Sequence, residues 1–283
     1  MSKIKYLFIS RCLSEFAGAI LPVVFPLFIL KTTHSLSLSG LFFTIAMLPS
    51  VLITPATGVW IEKYEKKKVA FFSVLTLAIL CSIETLLLKF GHYDFIYLVC
   101  FAILVAIFSM TLDLSSKVLF TELVDEAELE KYNGIKSILD NLSVFGAPML
   151  GTLVYGVLGF SIVILILAVL YVLAAVVIAF IPLESKNGGN DQIVEESFVQ
   201  KFRIGLHFIR TEKAILKYFL LIMALNFFVA SSEEVTNPGI VIQKYHLPTS
   251  IFGLVSIAFS IGVILSGIFI AKKLKNRIQK AYF

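Results

Sequence analysis

The chain has 283 residues, of which 58% are hydrophobic and 15% are charged, and its mean hydropathy is +0.93. Soluble domains usually carry about 25% charged residues, so this composition excludes a soluble protein and predicts an integral membrane protein. The net charge of +5 does not require a nucleic-acid partner, because basic residues on cytoplasmic loops face anionic lipid and account for it.

Eight apolar runs of membrane-spanning length follow one another along the chain, since about 20 apolar residues cross the hydrocarbon core. The runs are continuously apolar and do not alternate, so they predict helices and not the strands of a barrel. The predicted helices are Tyr6–Leu30, Leu38–Ile61, Val69–Phe90, Phe95–Leu119, Gly134–Val157, Phe160–Leu183, Tyr218–Ile242 and Ile251–Ala271. The first run carries charged residues and lacks a small-x-small cleavage site, so we interpret it as a retained helix.

The distribution of Lys and Arg predicts the side of the membrane that each loop faces. If the N-terminus is cytoplasmic, 20 of the 24 Lys and Arg lie on the cytoplasmic side, three lie outside and Arg11 lies within a helix. This is the positive-inside pattern. The sequence therefore predicts a multi-pass protein of the cell membrane with a cytoplasmic N-terminus.

A break after the sixth run divides the chain. The sequence Asn187-Gly188-Gly189-Asn190 is followed by a stretch in which apolar and basic residues alternate with helical spacing, which is typical of a helix lying on the membrane surface. We predict an N-terminal six-helix bundle over residues 1–183, a cytoplasmic linker with an amphipathic helix over 184–217, and two further helices over 218–283.

The loop between the second and third predicted helices carries the most specific pattern in the chain. It reads as a glycine, three spacers, an acid, a base, two spacers and then consecutive bases, from Gly58 to Lys68. This pattern resembles the loop Gly-x-x-x-Asp-Arg-x-Gly-Arg-Arg of the major facilitator superfamily. The matching positions are Gly58, Glu62, Lys63, Lys66 and Lys67, with Glu65 in place of the second glycine.

The fifth predicted helix strengthens the resemblance. Gly146, Pro148 and Gly151 are similar to the Gly-Pro-x-x-Gly-Gly motif of exporters, with Ala147 inserted and Thr152 at the last glycine. Small residues also permit close helix packing, which is the simpler explanation of the same residues. Within the superfamily, the chain resembles the branch of drug and macrolide exporters that also holds siderophore exporters.

The resemblance implies an all-α membrane protein with the major facilitator fold, in which two six-helix bundles flank a central path. The eight predicted helices would supply a complete N-terminal bundle and the first two helices of the C-terminal bundle. We therefore expect a chain truncated after eight of the family's twelve helices.

The resemblance also implies that the loop acts as a cytoplasmic gate. The family's loop bases pair with an acid at the cytoplasmic end of helix 4, so Lys66 or Lys67 and Asp113 would form a latch. The loop acid, here Glu62, sits in the family against a helix N-terminus of the opposite bundle, where the helix dipole favours negative charge. The alternative is that the lysines only orient the loop.

Charged residues within the predicted helices are candidates for a transport path. Arg11 and Glu15 lie one turn apart in the first helix, and charged groups near the midplane cost roughly 2.5–3.5 kcal/mol and mark pathways by default. Glu15 would carry a coupling proton or contact a cationic substrate, or would simply form a structural pair with Arg11. Asp140, placed in the first turns of predicted helix 5, would stabilise the helix dipole.

The seventh predicted helix adds Asn226, Glu233 and Glu234 to this candidate path. Adjacent acids point about 100° apart on a helix, so at least one of them would face a watery cavity. Pro238 would bend the helix at that point. We predict a gating bend lined by acids; the alternative places both acids at the outer interface.

The sequence lacks the motifs of other functional classes. It contains no GxxxxGK[ST], HExxH or GxSxG pattern, and Cys12, Cys81 and Cys100 have no metal-ligand or disulfide spacing. The resemblance favours proton-coupled secondary export of a hydrophobic or amphipathic solute such as a drug or macrolide. We expect the proton gradient as energy source, the lipid bilayer and a small molecule as partners, and no cofactor, metal, nucleic acid or enzyme activity. The alternatives are a truncated non-transporting remnant and an accessory membrane protein.

Overall fold

The computed structural model describes residues 2–62, 64–91, 94–124, 128–181 and 208–231, together with short pieces between 236 and 262. Throughout these residues the regular structure is helical. The first six helices are α1 (Ser2–Thr33), α2 (Leu36–Glu62), α3 (Lys66–Lys89), α4 (Phe95–Leu123), α5 (Leu129–Leu158) and α6 (Phe160–Ala179). They are followed by α7 (Lys213–Ser231) and a π-helical segment (Gly239–Lys244).

The helices α1 to α6 account for the six described segments that are long and apolar enough to cross a membrane. Each coincides with one of the first six predicted spans, so the prediction of an all-α membrane protein is confirmed. Predicted helix 7 corresponds to α7 and the π-helical segment. Most of predicted helix 8 and the linker residues 184–207 lie outside the described residues.

Helix α1 occupies the centre of the bundle. It packs against α2, α4, α5 and α6, while α3 packs against α4 and α6. The outward faces remain apolar: Phe72, Ile79, Ile83 and Leu86 of α3 are all exposed, at spacings that place them on one side of the helix. Lipid tails are as apolar as a protein interior, so these faces are suited to the bilayer.

Following the predicted orientation, we call the end of the bundle that holds the N-terminus of α1 the inner end. Towards the other, outer end, Phe25 and Phe28 of α1 anchor a layer of rings. Phe25 lies 5.1 Å from Phe42 of α2 and 5.7 Å from Phe101 of α4, and Phe28 stacks on Phe160 of α6 at 4.0 Å. Each such pair contributes about 0.5–1.5 kcal/mol beyond its buried area, so the layer ties four helices together.

Helix α5 approaches α1 closely at one glycine. A Cβ atom on Gly151 would lie 2.6 Å from Cγ2 of Ile20, well inside van der Waals contact, so a larger residue here would require the Ile20 side chain or α1 to shift. A Cβ atom on Gly146 would lie 3.9 Å from the ring of Phe16, an ordinary contact. Of the two glycines, Gly151 is therefore the one that close packing requires; a hinge role for the motif stays a prediction.

Candidate functional site

A buried arginine in the inner half of α1 joins three helices. Arg11 is 5% exposed, and its Nη2 lies 2.9 Å from Oε1 of Glu15 and 3.3 Å from Oδ1 of Asp113 on α4. Its Nε donates to Oδ1 of Asp140 on α5 at 3.0 Å. A guanidinium group presents five N–H donors in a planar fork, so one side chain can serve carboxylates from α1, α4 and α5 together.

Two lysines complete this group. The Nζ of Lys117 lies 2.6 Å from Oδ2 of Asp113, and the Nζ of Lys136 lies 3.7 Å from Oδ2 of Asp140. We call this set of six residues the inner charge cluster. Its members are Arg11, Glu15, Asp113, Lys117, Lys136 and Asp140. With three bases and three acids the cluster is formally neutral, which is what makes burial of its arginine tolerable.

The cluster extends one sequence prediction and corrects another. The ion pair between Arg11 and Glu15 is present, but it is one part of a larger network. The assignment of Asp140 to the dipole of the fifth helix is wrong. Helix α5 begins at Leu129, about three turns earlier, so Asp140 lies in the body of the helix and turns towards Arg11.

The predicted loop is mostly helical, because α2 continues to Glu62 and α3 begins at Lys66. Its bases Lys66 and Lys67 therefore lie in the first turn of α3, and they make different contacts from those predicted. The Nζ of Lys66 lies 4.0 Å from Oε1 of Glu122. The Nζ of Lys67 donates to the carbonyls of Ala179, at 3.2 Å, and Ile181. Cations are favourable at a helix C-terminus, so Lys67 stabilises the end of α6.

Asp113 instead pairs with Arg11 and Lys117. Glu122 follows Asp113 by nine residues on α4, which places it about 13.5 Å nearer the inner end at 1.5 Å per residue. It is therefore the acid of α4 that the loop reaches. Lys63 and the side chain of Glu62 lie outside the description, and the space beside Gly58 is open to 4 Å. The gate itself stays a prediction.

A half-open cavity of about 420 Å³ lies directly beside the cluster and is lined by α1, α2 and α4. Glu15 and Asp113 line it and also belong to the inner charge cluster. The remaining lining is mostly apolar and includes Phe25, Phe42, Phe43, Met47, Val105 and Met110. Ligand sites are commonly cavities of about 300–1,000 Å³ with apolar walls and a few polar groups, and this cavity has both properties.

The wall that α1 contributes has unusual backbone chemistry. Gly18, Pro22 and Pro26 line the cavity at four-residue spacing. A proline has no N–H group, so the carbonyls of Gly18 and Pro22 lose the donors that residues 22 and 26 would otherwise supply. The Pro26 carbonyl accepts a hydrogen bond from Oγ of Ser39 on α2 at 2.8 Å. The stretch of α1 beside the cavity therefore lacks two of its helical hydrogen bonds.

The structure does not bring Asn226, the described member of the predicted helix 7 residues, to this site. Asn226 is exposed on α7, and its Nδ2 donates to the Ile222 carbonyl of the same helix at 2.9 Å. Glu233, Glu234 and Pro238 lie outside the described residues. Their predicted place in the path therefore stays a prediction.

Sequence reasoning missed how the local pairs combine. The four-residue spacing of Asp113 with Lys117 and of Lys136 with Asp140 is visible in the sequence and indicates local ion pairs. No sequence spacing shows that both pairs meet at Arg11. Among the described residues, no three His, Cys, Asp or Glu side chains are arranged to hold a metal ion.

Residues 7–283 match the sequence pattern of the Major Facilitator Superfamily. Macrolide efflux protein A of Streptococcus pyogenes is 21% identical over 259 residues, which cover 91% of this chain and 63% of that protein. Macrolide efflux protein A of Enterococcus faecalis is 22% identical over 225 residues, which cover 79% of this chain and 69% of that protein. The chain thus spans less than two thirds of the streptococcal relative's length.

Proposed function

The chain belongs to the Major Facilitator Superfamily of membrane transporters, and on that premise we propose that it exports hydrophobic or amphipathic solutes, macrolides among them, in exchange for protons. The observation that carries this proposal is the shared use of two acids. Glu15 and Asp113 both line the apolar cavity and both contact the buried Arg11. A bound solute and a charge network therefore meet at the same carboxylates.

The cavity is the proposed solute site. Its rings and thioethers offer the apolar contact area that a hydrophobic solute needs. The Gly18 and Pro22 carbonyls, deprived of their helical donors, offer acceptors to solute hydroxyl or ammonium groups. The exporter relatives in the comparison carry the name macrolide efflux protein, and large amphipathic solutes of that kind combine apolar faces with such donors.

Glu15 is the proposed coupling site. It is 31% exposed whereas Arg11 is 5% exposed, so the acid is the member of the pair that solute and protons can reach. The cluster is neutral with Glu15 ionised, and adding either a proton or a cationic solute there leaves one positive charge in excess. A proton and a cationic solute bound together would leave two excess positive charges, in a site where unbalanced charge is costly. Proton and cationic solute therefore exclude each other, which is the requirement for exchange.

The loop from Gly58 to Lys68 is the proposed cytoplasmic gate. Two contacts support this proposal. The Nζ of Lys66 lies 4.0 Å from Oε1 of Glu122, and the Nζ of Lys67 donates to a carbonyl at the end of α6. Together these contacts tie the loop to α4 and α6 at the inner end. An exposed pair of this kind is worth only about 0–1 kcal/mol, so it can open and close during a transport cycle.

The test is solute export from vesicles that contain the protein, with an imposed proton gradient. We expect macrolide movement to follow the gradient and to collapse when a protonophore is added. Glu15→Gln is expected to abolish the dependence of export on the gradient. Because the amide imitates the protonated carboxyl group, binding of a cationic solute should weaken and lose its pH dependence, whereas an uncharged solute should still bind. Glu84→Gln is the matched control, because Glu84 is a buried carboxyl group on α3 outside the cavity lining. Gradient-driven export that is unchanged in Glu15→Gln would refute the coupling role.

A further inference from the structure

A second, smaller chamber adjoins the solute cavity. It has a volume of about 50 Å³ and lies between α1, α4 and α6. It shares Glu15, Gly18, Ser109 and Asp113 with the larger cavity, so the two are neighbours at those residues. We call it the polar chamber, because six of its eight lining residues carry a hydroxyl or carboxyl group. Its full lining is Ser14, Glu15, Gly18, Ser109, Leu112, Asp113, Ser116 and Tyr171.

The end of the polar chamber is formed by a tyrosine hydroxyl that lacks a partner. Tyr171 of α6 is 1% exposed. Its hydroxyl oxygen makes no hydrogen bond of normal geometry with any described residue, although Ser109 lies next to it. A buried hydroxyl without a hydrogen bond destabilises a fold by roughly 1–3 kcal/mol, and the great majority of such groups have a partner. The hydroxyl therefore points to a ligand in the chamber.

The position of this hydroxyl relative to α1 relates it to Glu15. A Cβ atom on Gly18 would lie 3.7 Å from the Tyr171 oxygen, so that oxygen sits against α1 at Gly18. Residues three apart share one face of a helix, so Glu15 and the Tyr171 hydroxyl lie on the same side of α1. Both line the same chamber.

We propose that the polar chamber is a binding site for ordered water, which bridges the Tyr171 hydroxyl to the Glu15 carboxyl group. A buried water needs two to four polar partners and takes up about 30 Å³ in the liquid. The chamber provides room for one or two molecules and partners from three helices. A sodium ion fits less well, because the two carboxylates it would need are already paired with Arg11.

This water has a specific task if Glu15 carries the coupling proton, a step that rests on the proposed function. Arg11 has only N–H donors, so it can serve the ionised carboxylate but cannot accept a hydrogen bond from a protonated one. The Asp113 carboxylate also lies within reach of the Glu15 O–H group, but it is already paired with Arg11 and Lys117. Water both donates and accepts, so it offers the Glu15 O–H group a further acceptor. The charged groups that face Glu15 are Arg11 on its own helix, Asp113 on α4 and Asp140 on α5. Tyr171 faces it from α6.

The first test is X-ray radiolytic labelling of the protein in lipid nanodiscs, without solute or proton gradient. Hydroxyl radicals formed from bound water oxidise the side chains that contact it. We expect Tyr171 to be oxidised several-fold faster than Tyr155, which is also buried, at 4% exposure, but lines neither the cavity nor the polar chamber. Equal, slow oxidation of the two tyrosines would show a dry chamber and overturn the inference.

The second test uses the sign of a stability change. If water satisfies the hydroxyl, Tyr171→Phe removes a hydrogen bond and lowers the apparent Tm by about 2–4 °C. If the chamber is dry, the same change removes an unsatisfied polar group and raises the Tm, which contradicts the proposal. A Tm of the unaltered protein that falls when sodium is replaced by choline would assign the chamber to sodium and likewise overturn it.

The role towards Glu15 has a separate measurement. The infrared band of the protonated Glu15 carbonyl, assigned by its loss in Glu15→Gln, should shift in Tyr171→Phe because its hydrogen bonding changes. An unshifted band would reject the bridge. None of these measurements depends on transport. A hydrated chamber in a protein that does not export would therefore refute the proposed function and leave the water site intact. A dry chamber in an active exporter would refute only the proposed water site.

Discussion

The inner charge cluster makes its strongest prediction at Arg11. The substitution Arg11→Met keeps much of the side-chain length and removes the charge. Three carboxylates, from Glu15, Asp113 and Asp140, then lose the guanidinium that lies 2.9 to 3.3 Å from them. Only the two lysines of the cluster remain to balance them, so one negative charge is left over.

The expected magnitude follows from the burial of this group. Arg11 is 5% exposed, and removal of one partner from a buried ion pair destabilises a protein by about 3–5 kcal/mol. At roughly 2–4 °C per kcal/mol for a chain of this size, Arg11→Met is expected to lower the apparent Tm by about 6–20 °C. The assay is thermal unfolding in detergent, followed by circular dichroism at 222 nm or by the loss of monomer on size exclusion.

Two controls isolate the cause. Lys117→Met removes a cluster charge that is 50% exposed, and such a surface pair is worth about 0–1 kcal/mol, so its Tm should change little. Combining Arg11→Met with Asp140→Asn restores neutrality and should recover part of the loss, giving a non-additive cycle. A Tm for Arg11→Met as high as that for Lys117→Met, or strictly additive losses, would refute the reasoning.

Three further predictions concern other parts of the bundle. Gly151→Ala should destabilise the protein by about 1–3 kcal/mol through overpacking against Ile20. Adding Ile20→Ala should relieve the clash, so the double variant should lose less stability than the sum of the two single losses. A loss equal to or larger than that sum would contradict the prediction. Lys66→Glu should weaken export, and Lys66→Glu with Glu122→Lys should restore it if the pair at 4.0 Å closes the gate; failure of the swap would exclude Glu122 as the gate acid. Glu84→Met should raise the apparent Tm. The Glu84 carboxyl group is buried, and neither of its oxygens has a hydrogen bond of normal geometry among the described residues. A lower Tm would show that the carboxyl group has a hydrogen-bond partner.

The outcome at helix 5 shows where sequence reasoning stops. The boundary of the fifth apolar run was expected at Gly134, whereas α5 begins at Leu129. The added turns are polar and charged, so hydropathy did not include them. That shift moves Asp140 from the start of a helix to its interior and changes its role from dipole stabilisation to an ion pair across the bundle.

The first six spans and the motif loop were determined by the sequence itself. Membrane helices satisfy their own backbone hydrogen bonds within a single continuous apolar segment, so their number and approximate ends can be read without knowing their neighbours. Gly58, Lys66 and Lys67 could be placed at the junction of two consecutive spans for the same reason, because charge near a helix end is a local property; Gly58 lies near the end of α2, and the two lysines begin α3.

Only the tertiary structure decided which charges meet. Arg11 reaches Asp113 and Asp140, which lie 102 and 129 residues away in the chain, and the partner of Lys66 is Glu122 and not Asp113. The polar chamber likewise depends on Tyr171 of α6 facing Gly18 of α1. Such contacts depend on the rotation and depth of each packed helix, and these are set by the fit of side chains such as Ile20 against Gly151. No periodicity within a single apolar run encodes them.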